Sequence, residues 1–284
     1  MNDIKQKVCQ FLISQLSGKY NDSEIEELTN YILKSDVFKN EYMVELVNAR
    51  SVQTIFSPIV SEILKGMPIQ YILHEAYFMG LVLYVDESVL IPRPETEELV
   101  FWIQSDHRYK SKMKLWDVGT GSGCMAIHLK KCFPDWSISA LDIDVDALNV
   151  AKVNADNYET EIEFLELDFL NIDASEYPEI NILVSNPPYI GHHEKHLMSR
   201  GTLLFEPTKA LFPIGDDHLV FYKHLADYGQ KKLSQFGYIY CELNEYYSDQ
   251  IYEIFKQSGY QDIKVKMDLQ GKARMLRCRK VRSD

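Results

Sequence analysis

A glycine-rich segment, Asp117-Val118-Gly119-Thr120-Gly121-Ser122-Gly123, follows a short apolar stretch and precedes residues with helical spacing. Glycines there allow a sharp turn and let the backbone approach a ligand closely. The third glycine comes one residue too early for the G-x-G-x-x-G fingerprint of dinucleotide-binding loops, and Cys124 takes its place. No Gly-Lys-Ser/Thr follows, which excludes a P-loop. The segment therefore fits a ligand-binding loop better than it fits either phosphate-binding motif.

The D-x-G-x-G-x-G pattern resembles the loop of S-adenosylmethionine-dependent methyltransferases. That cofactor carries no phosphate, so the loop need only hold an amino-acid moiety and a nucleoside. Asp142 ends the next predicted strand, where a carboxylate can accept hydrogen bonds from both ribose hydroxyls. We expect the cofactor to be bound by Asp142 and the loop residues Asp117, Gly119, Thr120, Gly121, Ser122 and Gly123.

A second motif, Asn186-Pro187-Pro188-Tyr189, follows a buried-looking strand, and two adjacent prolines cannot continue a central strand. It therefore lies at the carboxyl end of the strand, where open α/β sheets bind ligands. The Asn186 side-chain oxygen and the Pro187 carbonyl can accept both N–H bonds of a planar NH₂ group, and Tyr189 offers a ring face. Two acceptors raise the electron density on a delocalised nitrogen and orient it toward a methyl donor. The motif predicts methylation of a carboxamide or an exocyclic adenine amine, without a dedicated base.

Together these residues resemble the release-factor glutamine methyltransferase family, from about residue 66 to residue 279. A long and specific match is Val89-Leu90-Ile91-Pro92-Arg93-Pro94-Glu95-Thr96-Glu97. Other matching segments follow in family order: the glycine loop, Leu141-Asp142-Ile143-Asp144, Asn186 to Ile190, Glu206-Pro207 with Ala210-Leu211, and Asp268-Leu269 with Gly271 and Arg274.

The resemblance implies S-adenosylmethionine as methyl donor. It implies methylation of the side-chain amide nitrogen, N5, of the glutamine in the Gly-Gly-Gln motif of peptide-chain release factors, which are then the expected partners. Phe169 is assigned to the adenine neighbourhood, and Asn186 contacts the donor as well as the substrate. The glutamine pocket comprises Asn186, Pro187, Pro188 and Tyr189, with Asn186, Pro187 and Tyr189 expected as catalytic residues. No metal is expected.

The chain departs from the family pattern at two places. Glu242-Leu243-Asn244-Glu245-Tyr246-Tyr247 stands where the family has Glu-Ile-Gly-x-x-Gln, and Asp217-His218-Leu219 where it has Asp-Gly-Leu. Asn244 can adopt the left-handed backbone that glycine allows, whereas His218 has no such freedom. These departures concern local substrate contacts rather than the reaction.

The elements that position these residues fall into three parts. Residues 1–75 carry apolar stripes at helical spacing and predict a small helical bundle, which by position resembles the family's substrate-recognition bundle. One of its stripes is Val44 to Val47. Residues 76–93 alternate and predict a β-hairpin linker. Residues 94–284 alternate between strand and helix patterns, which predicts an α/β, Rossmann-like parallel sheet with helices on both faces. Two late strands, Ile263 to Met267 and Met275 to Cys278, predict an antiparallel edge hairpin.

Composition excludes several classes of protein. The 284 residues are 46% hydrophobic, and 30 Lys and Arg against 42 Asp and Glu give a net charge of −12, which disfavours a nucleic-acid substrate. No apolar run approaches the ~18 residues of a membrane helix, and the five cysteines show no CxxC spacing. We expect a cytoplasmic monomer. A run of basic residues predicts a solvated strand face or, alternatively, contact with a release factor or the ribosome: Lys272, Arg274, Arg277, Arg279, Lys280 and Arg282.

Three alternatives stay open. A ribosomal-protein glutamine N5-methyltransferase would use the same chemistry on another protein. An adenine-N6 methyltransferase on nucleic acid shares the planar NH₂ group, but it usually needs base flipping and a basic groove. A non-catalytic cofactor-binding module would have no need of the Asn186 motif.

Overall fold

The computed structural model describes residues 2–42, 51–215 and 217–281. They form two compact units. The first comprises the described residues up to Glu75 together with Ser199–Phe205, and the second comprises Ala76–Met198 and the described residues from Glu206 onward. The predicted stripe Val44 to Val47 and the basic residue Arg282 lie outside the described residues.

The first unit is helical, as the fold prediction required. Its helices are α1 (Asn2–Leu16), α2 (Asp22–Lys34), a π-helical turn (Phe38–Tyr42), α3 (Val52–Lys65), and the short helices Ile69–Leu73 and Arg200–Phe205. Asn21 and Glu24 form a capping box at the start of α2. Gly66, with φ of +96°, ends α3 in the left-handed conformation. The apolar residues of the helices up to Leu73 meet in one core that includes Leu12, Ile25 and Phe56.

A two-stranded hairpin follows the first helices, with β1 (Glu75–Phe78) and β2 (Leu81–Tyr84), and all of it from Ala76 onward belongs to the second unit. Met79 and Gly80 connect the strands, and both have positive φ, as a two-residue hairpin turn requires. The Met79 backbone N–H donates to the Glu97 carboxylate at 2.7 Å, which ties the turn to the following helix.

A seven-stranded sheet forms the centre of this unit among the described residues. Its strands are β3 (Lys114–Val118), β4 (Ser137–Asp142), β5 (Glu163–Glu166), β6 (Ile180–Ser185), β7 (Leu233–Glu242), β8 (Gln261–Met267) and β9 (Ala273–Arg279). Their spatial order is β5-β4-β3-β6-β7-β9-β8. The first five are parallel, while β9 runs antiparallel to β7 and β8. The predicted sheet and its antiparallel edge hairpin are thereby confirmed.

Helices cover both faces of the sheet. They are α4 (Pro94–His107), α5 (Cys124–Cys132), α6 (Val145–Asn157), α7 (Val220–Lys232) and α8 (Ser248–Gln257). Alternate residues of one strand enter different cores, because successive side chains point to opposite faces. Ile182 packs with α4 and α5, whereas Leu183 packs with α7 and α8. Within the described ranges, no helix combines the length and apolarity needed to span a membrane.

The basic strand differs from the sequence-based prediction. Arg277 is only 7% exposed and pairs with Asp106 at 2.7 Å and with Asp262. Arg274 pairs with Asp268 at 3.1 Å, and the Lys280 ammonium donates to backbone carbonyls. A solvated strand face is therefore wrong for these residues, because buried or half-buried cations need a partner.

Candidate active site

Strand register brings the two sequence motifs together. In the parallel pair of β3 and β6, Val118 lies opposite Ser185. Gly119 follows β3 and Asn186 follows β6. The glycine loop and the Asn-Pro-Pro-Tyr motif therefore leave the sheet side by side. The Ser185 hydroxyl donates to the Val118 carbonyl at 2.8 Å and ties the two strand ends together.

The glycine loop adopts the backbone that its composition predicts. Gly119, Gly121 and Gly123 all have positive φ, between +53° and +80°. A Cβ atom at Gly121 would have no neighbour within 4 Å, so the loop is open on that side. At Gly123 a Cβ would lie 3.0 Å from the Ile127 side chain and 3.2 Å from Ala151, which leaves room only for glycine where α5 and α6 pack.

Two carboxylates support this loop in different ways. Asp142 accepts the backbone N–H groups of Gly121 and Asp144, each at 3.0 Å, and lines the cleft beside the loop. Burial raises the pKa of Asp142. Asp117 is fully buried under the loop, where it accepts the Thr120 hydroxyl at 2.8 Å. Burial raises the pKa of Asp117 to about 7. Asp117 thus holds the loop and does not line the cleft.

One cleft contains most of the residues predicted to bind the cofactor. Gly119, Thr120, Gly121, Ser122, Asp142, Phe169, Asn186 and Pro188 line it. Phe169 is only 5% exposed, and its ring packs against Tyr228. Mostly apolar walls with a few oriented polar groups are typical of small-molecule sites.

The Asn186 side chain is held by a buried pair of residues from two other elements. Its Nδ2 donates to the Thr96 hydroxyl of α4 at 3.2 Å. The Thr96 hydroxyl in turn donates to the Glu242 carboxylate at the end of β7. Thr96 is 3% exposed and Glu242 is 1% exposed. Burial raises the pKa of Glu242 to about 7, while nearby Arg274 opposes this shift.

The other residues of the motif differ in their surroundings, and Pro187 and Tyr189 are not among the residues that line the cleft. Pro187 is buried, Pro188 lines the cleft, and Tyr189 is half-buried against the core on the α7 side of the sheet. Burial and the nearby Glu242 carboxylate raise the pKa of the Tyr189 hydroxyl. The tyrosine therefore remains neutral and is no proton acceptor at neutral pH.

The family departures receive separate explanations. Asn244 has φ of −73° and does not use the left-handed backbone that glycine would allow. Its side chain instead donates to the Glu194 carboxylate at 2.8 Å and to the Tyr189 carbonyl at 3.3 Å. Asn244 thus holds the segment that follows the Asn-Pro-Pro-Tyr motif by hydrogen bonds. The His218 ring packs 4.0 Å from the Tyr247 ring, so one departure contacts the other.

Sequence reasoning missed the segment after Glu206 as part of the cleft. Lys209, Ala210, Phe212, Pro213 and Ile214 line it. Glu206 anchors the segment through Arg93 at 2.6 Å, and Lys209 pairs with Asp144. The matched segments Arg93 to Glu97 and Glu206-Pro207 were the available signal. Neither segment indicates that Arg93 pairs with Glu206, because the two residues lie more than a hundred positions apart in the sequence.

Comparisons with known proteins agree with this geometry. A family model described as methyltransferase small domain matches residues 98–253. A release factor glutamine methyltransferase of Flavobacterium psychrophilum is 36% identical over 283 residues, covering 96% of this chain and 98% of that protein. One of Bacteroides thetaiotaomicron is 33% identical over 274 residues, covering 95% and 98%. The chain belongs to the release factor glutamine methyltransferase family. The resemblance inferred from the motifs is confirmed.

A solved structure gives independent support for the fold. A methyltransferase from Pyrococcus furiosus matches with a TM-score of 0.53 at 18% identity, covering 80% of this chain and 100% of that chain. At this identity the likeness supports the methyltransferase fold alone.

Proposed function

We propose that this chain transfers a methyl group from S-adenosylmethionine to N5 of the glutamine side chain in the Gly-Gly-Gln motif of peptide-chain release factors. The observation that carries the proposal is the shared cleft. The glycine loop and the Asn186 amide line one cavity, at the ends of neighbouring strands β3 and β6. The names of the family members support the substrate, and the acidic net charge of −12 disfavours a nucleic acid in its place.

The residues of the cleft fit this cofactor. The left-handed glycine loop with open space at Gly121 accepts a close ligand, and no phosphate-binding lysine follows it. Each Asp142 oxygen accepts one backbone N–H and has a second lone pair for a ribose hydroxyl. Phe169 adds an apolar wall for the adenine. When bound, S-adenosylmethionine supplies an electrophilic methyl group on a sulfonium centre.

Asn186 and Pro187 bind and orient the amide that receives the methyl group. The Asn186 Oδ1 and the Pro187 carbonyl each accept one of its N–H bonds, which aligns the nitrogen and increases its electron density. Tyr189 packs beside the planar group, and Pro188 closes the turn. The amide nitrogen loses its proton to solvent after transfer, so no general base is assigned.

Recognition of the protein substrate is assigned to the helical unit up to residue 75, with residues 76–93 as the hairpin linker and 94–284 as the catalytic domain. The position of this unit within the family pattern supports the assignment. We assign the chain to the cytoplasm, as a monomer whose macromolecular partner is the release factor, with no nucleic-acid substrate. Size-exclusion chromatography with light scattering tests the monomer: a dimer mass would contradict it.

Labelled methyl transfer tests the function. Purified protein with methyl-labelled S-adenosylmethionine should label a release factor on one glutamine, identified by mass spectrometry. A release factor with that glutamine changed to alanine should take up no label. Label on ribosomal protein, RNA or DNA, and not on the release factor, would contradict the proposal and favour one of the alternatives.

The Asn186→Ala variant tests the role of the amide acceptor. It should lose about 100-fold or more in kcat, because one oriented hydrogen-bonding group is removed from the reacting centre. Cofactor affinity, measured by calorimetry, should change little. Asn149→Ala, on an exposed position of α6, is the matched control and should turn over normally. Turnover retained in Asn186→Ala would contradict this account of amide recognition.

A further inference from the structure

The hydrogen bonds behind Asn186 form a directed chain. Asn186 Nδ2 donates to Thr96 Oγ1 at 3.2 Å, and Thr96 Oγ1 donates to Glu242 Oε1. Thr96 lies in the first turn of α4 and Glu242 at the last position of β7, 146 residues apart. Thr96 and Glu242 are both at most 3% exposed, so water does not compete for these groups.

An asparagine amide has two ends of nearly equal size and opposite hydrogen-bonding character. Rotation by 180° exchanges an acceptor for two donors at almost no steric cost. A threonine hydroxyl has a single proton. Once that proton is donated to a carboxylate, the hydroxyl oxygen can only accept, and it therefore selects the Nδ2 end of the amide.

We infer that Thr96 and Glu242 are positioning residues that hold the Asn186 side chain with Nδ2 toward the protein, so that Oδ1 is available to accept an N–H of the substrate amide. The inference rests on the proposed function of Asn186. Without the chain, the flipped amide would present its own NH₂ group to a substrate NH₂ group, and two donors cannot pair.

The surroundings of Glu242 are consistent with an anchor for this chain. Burial is the largest influence on its pKa and opposes the ionised form, as does Glu95, whereas the Thr96 hydrogen bond, Arg274 and Arg93 favour that form. Its backbone carbonyl also accepts the Tyr222 hydroxyl at 3.0 Å, which fixes the residue independently of its side chain. The position of Glu242 is thus held through its backbone, and among the described residues its carboxylate accepts a hydrogen bond from the Thr96 hydroxyl.

Thr96→Val and Thr96→Ser form the central test. Valine keeps the shape and removes the hydroxyl, so kcat for release-factor methylation should fall about 10-fold or more, the factor that corresponds to about one hydrogen bond. KM for the release factor and the Kd of S-adenosylmethionine should stay within about twofold of the wild type. Serine retains the hydroxyl and should recover most of kcat. Thr160→Val, which removes a hydroxyl bonded to the Ala155 carbonyl away from the cleft, is the control.

Glu242 is tested by a second pair of variants. Glu242→Gln retains an acceptor for the Thr96 hydroxyl, whereas Glu242→Leu removes it and should lower kcat like Thr96→Val. The kcat of the double variant Thr96→Val/Glu242→Leu should lie within about twofold of the kcat of the slower single variant, because both changes break the same hydrogen-bond chain. Additive losses would overturn the inference.

An experiment without turnover separates this inference from the proposed function. The Asn186 side-chain NH₂ protons can be followed by ¹⁵N NMR, with their peak assigned by its loss in Asn186→Asp. They should exchange with solvent more slowly in the wild type and Thr96→Ser than in Thr96→Val. Equal exchange in all three proteins would overturn the chain even in an active enzyme. Normal protection in a wild type that does not methylate release factors would leave the chain intact and contradict the function alone.

Discussion

Two buried acids lie beneath the cleft, and each acts through a threonine. Asp117 accepts the Thr120 hydroxyl and so holds the glycine loop. Glu242 accepts the Thr96 hydroxyl and so holds the Asn186 amide. Threonine serves both positions because its single hydroxyl proton gives the hydrogen bond a direction. At the residue scale, the cofactor side and the substrate side of the site therefore use the same kind of support.

Asp117→Asn should change how stability depends on pH. Burial in the folded state raises the pKa of Asp117 to about 7, whereas the pKa of an aspartate in the unfolded chain is about 3.9. Between these values the folded protein keeps a proton that the unfolded chain releases, so the Asp117 contribution to the free energy of unfolding falls as pH rises. The slope is at most about 1.4 kcal/mol per pH unit, and the contribution is level above the folded pKa. Urea unfolding from pH 5 to pH 8 measures it.

Asp117→Asn lacks this ionisation, so its stability relative to the wild type should improve as pH rises from 5 to 8. Asn retains an oxygen for the Thr120 hydroxyl, which keeps the loop contact. Glu242→Gln should behave similarly, because burial also raises the pKa of Glu242 to about 7. Parallel stability curves for the wild type and Asp117→Asn would contradict the burial argument.

At the scale of elements, the site depends on how β3 passes into α5. The loop reverses direction within five residues, and left-handed glycines supply the turn. Gly123 also lets α6 pack close to α5, as the short distances to Ile127 and Ala151 show. Gly121 has no such packing role, so its glycine serves the backbone conformation and the open space of the cleft.

Gly121→Ala should separate cofactor binding from stability. The left-handed backbone costs an alanine about 1 kcal/mol, and the new methyl group enters the cleft. We expect S-adenosylmethionine affinity to fall at least about 10-fold, measured by calorimetry. Gly271→Ala is the matched control, because Gly271 also has positive φ and no neighbour within 4 Å, but it does not line the cleft. Similar loss of affinity in both variants would show that strain alone is responsible.

At the scale of the catalytic unit, the antiparallel edge is fixed by internal ion pairs. Arg277 on β9 reaches Asp106 at the end of α4, 171 residues earlier, and Asp262 on β8. The Tyr240 hydroxyl donates to the same Asp106 carboxylate at 2.7 Å, so one acidic group joins helix and sheet. The basic residues Arg274 and Arg277 therefore stabilise the fold and are not free to meet a partner.

Arg277→Met should destabilise the protein by about 1–3 kcal/mol, because it removes the cation from the half-buried Asp106 carboxylate and leaves Asp262 only the more distant Lys264, at 3.6 Å. Chemical denaturation measures this loss, and S-adenosylmethionine affinity should be retained. Lys256→Met, which removes an exposed pair with Glu253, is the control and should cost less than about 0.5 kcal/mol. Equal stability of the two variants would contradict a structural role for Arg277.

Much of this protein was determined by local sequence. The spacing of apolar residues predicted the strands, the helices and the edge hairpin. Buried side chains recur about every two residues on one face of a strand and about every 3.6 residues on one face of a helix. The glycine loop and the Asn-Pro-Pro-Tyr motif were recognisable because glycine allows backbone conformations that other residues avoid, whereas proline restricts the backbone and ends a central strand. Asn186 was placed at a strand end by the two prolines that follow it, and Asp142 by the apolar strand pattern that it ends.

Tertiary structure alone decided what lies next to these residues. The order β5-β4-β3-β6-β7-β9-β8 places β3 beside β6 and inserts β9 between β7 and β8. It also joins Thr96 to Glu242, Glu206 to Arg93, and Arg277 to Asp106. Strand pairing and ion pairing depend on which distant group completes a hydrogen bond or buries a charge. A local repeat carries no information about that partner, so only the folded chain identifies it.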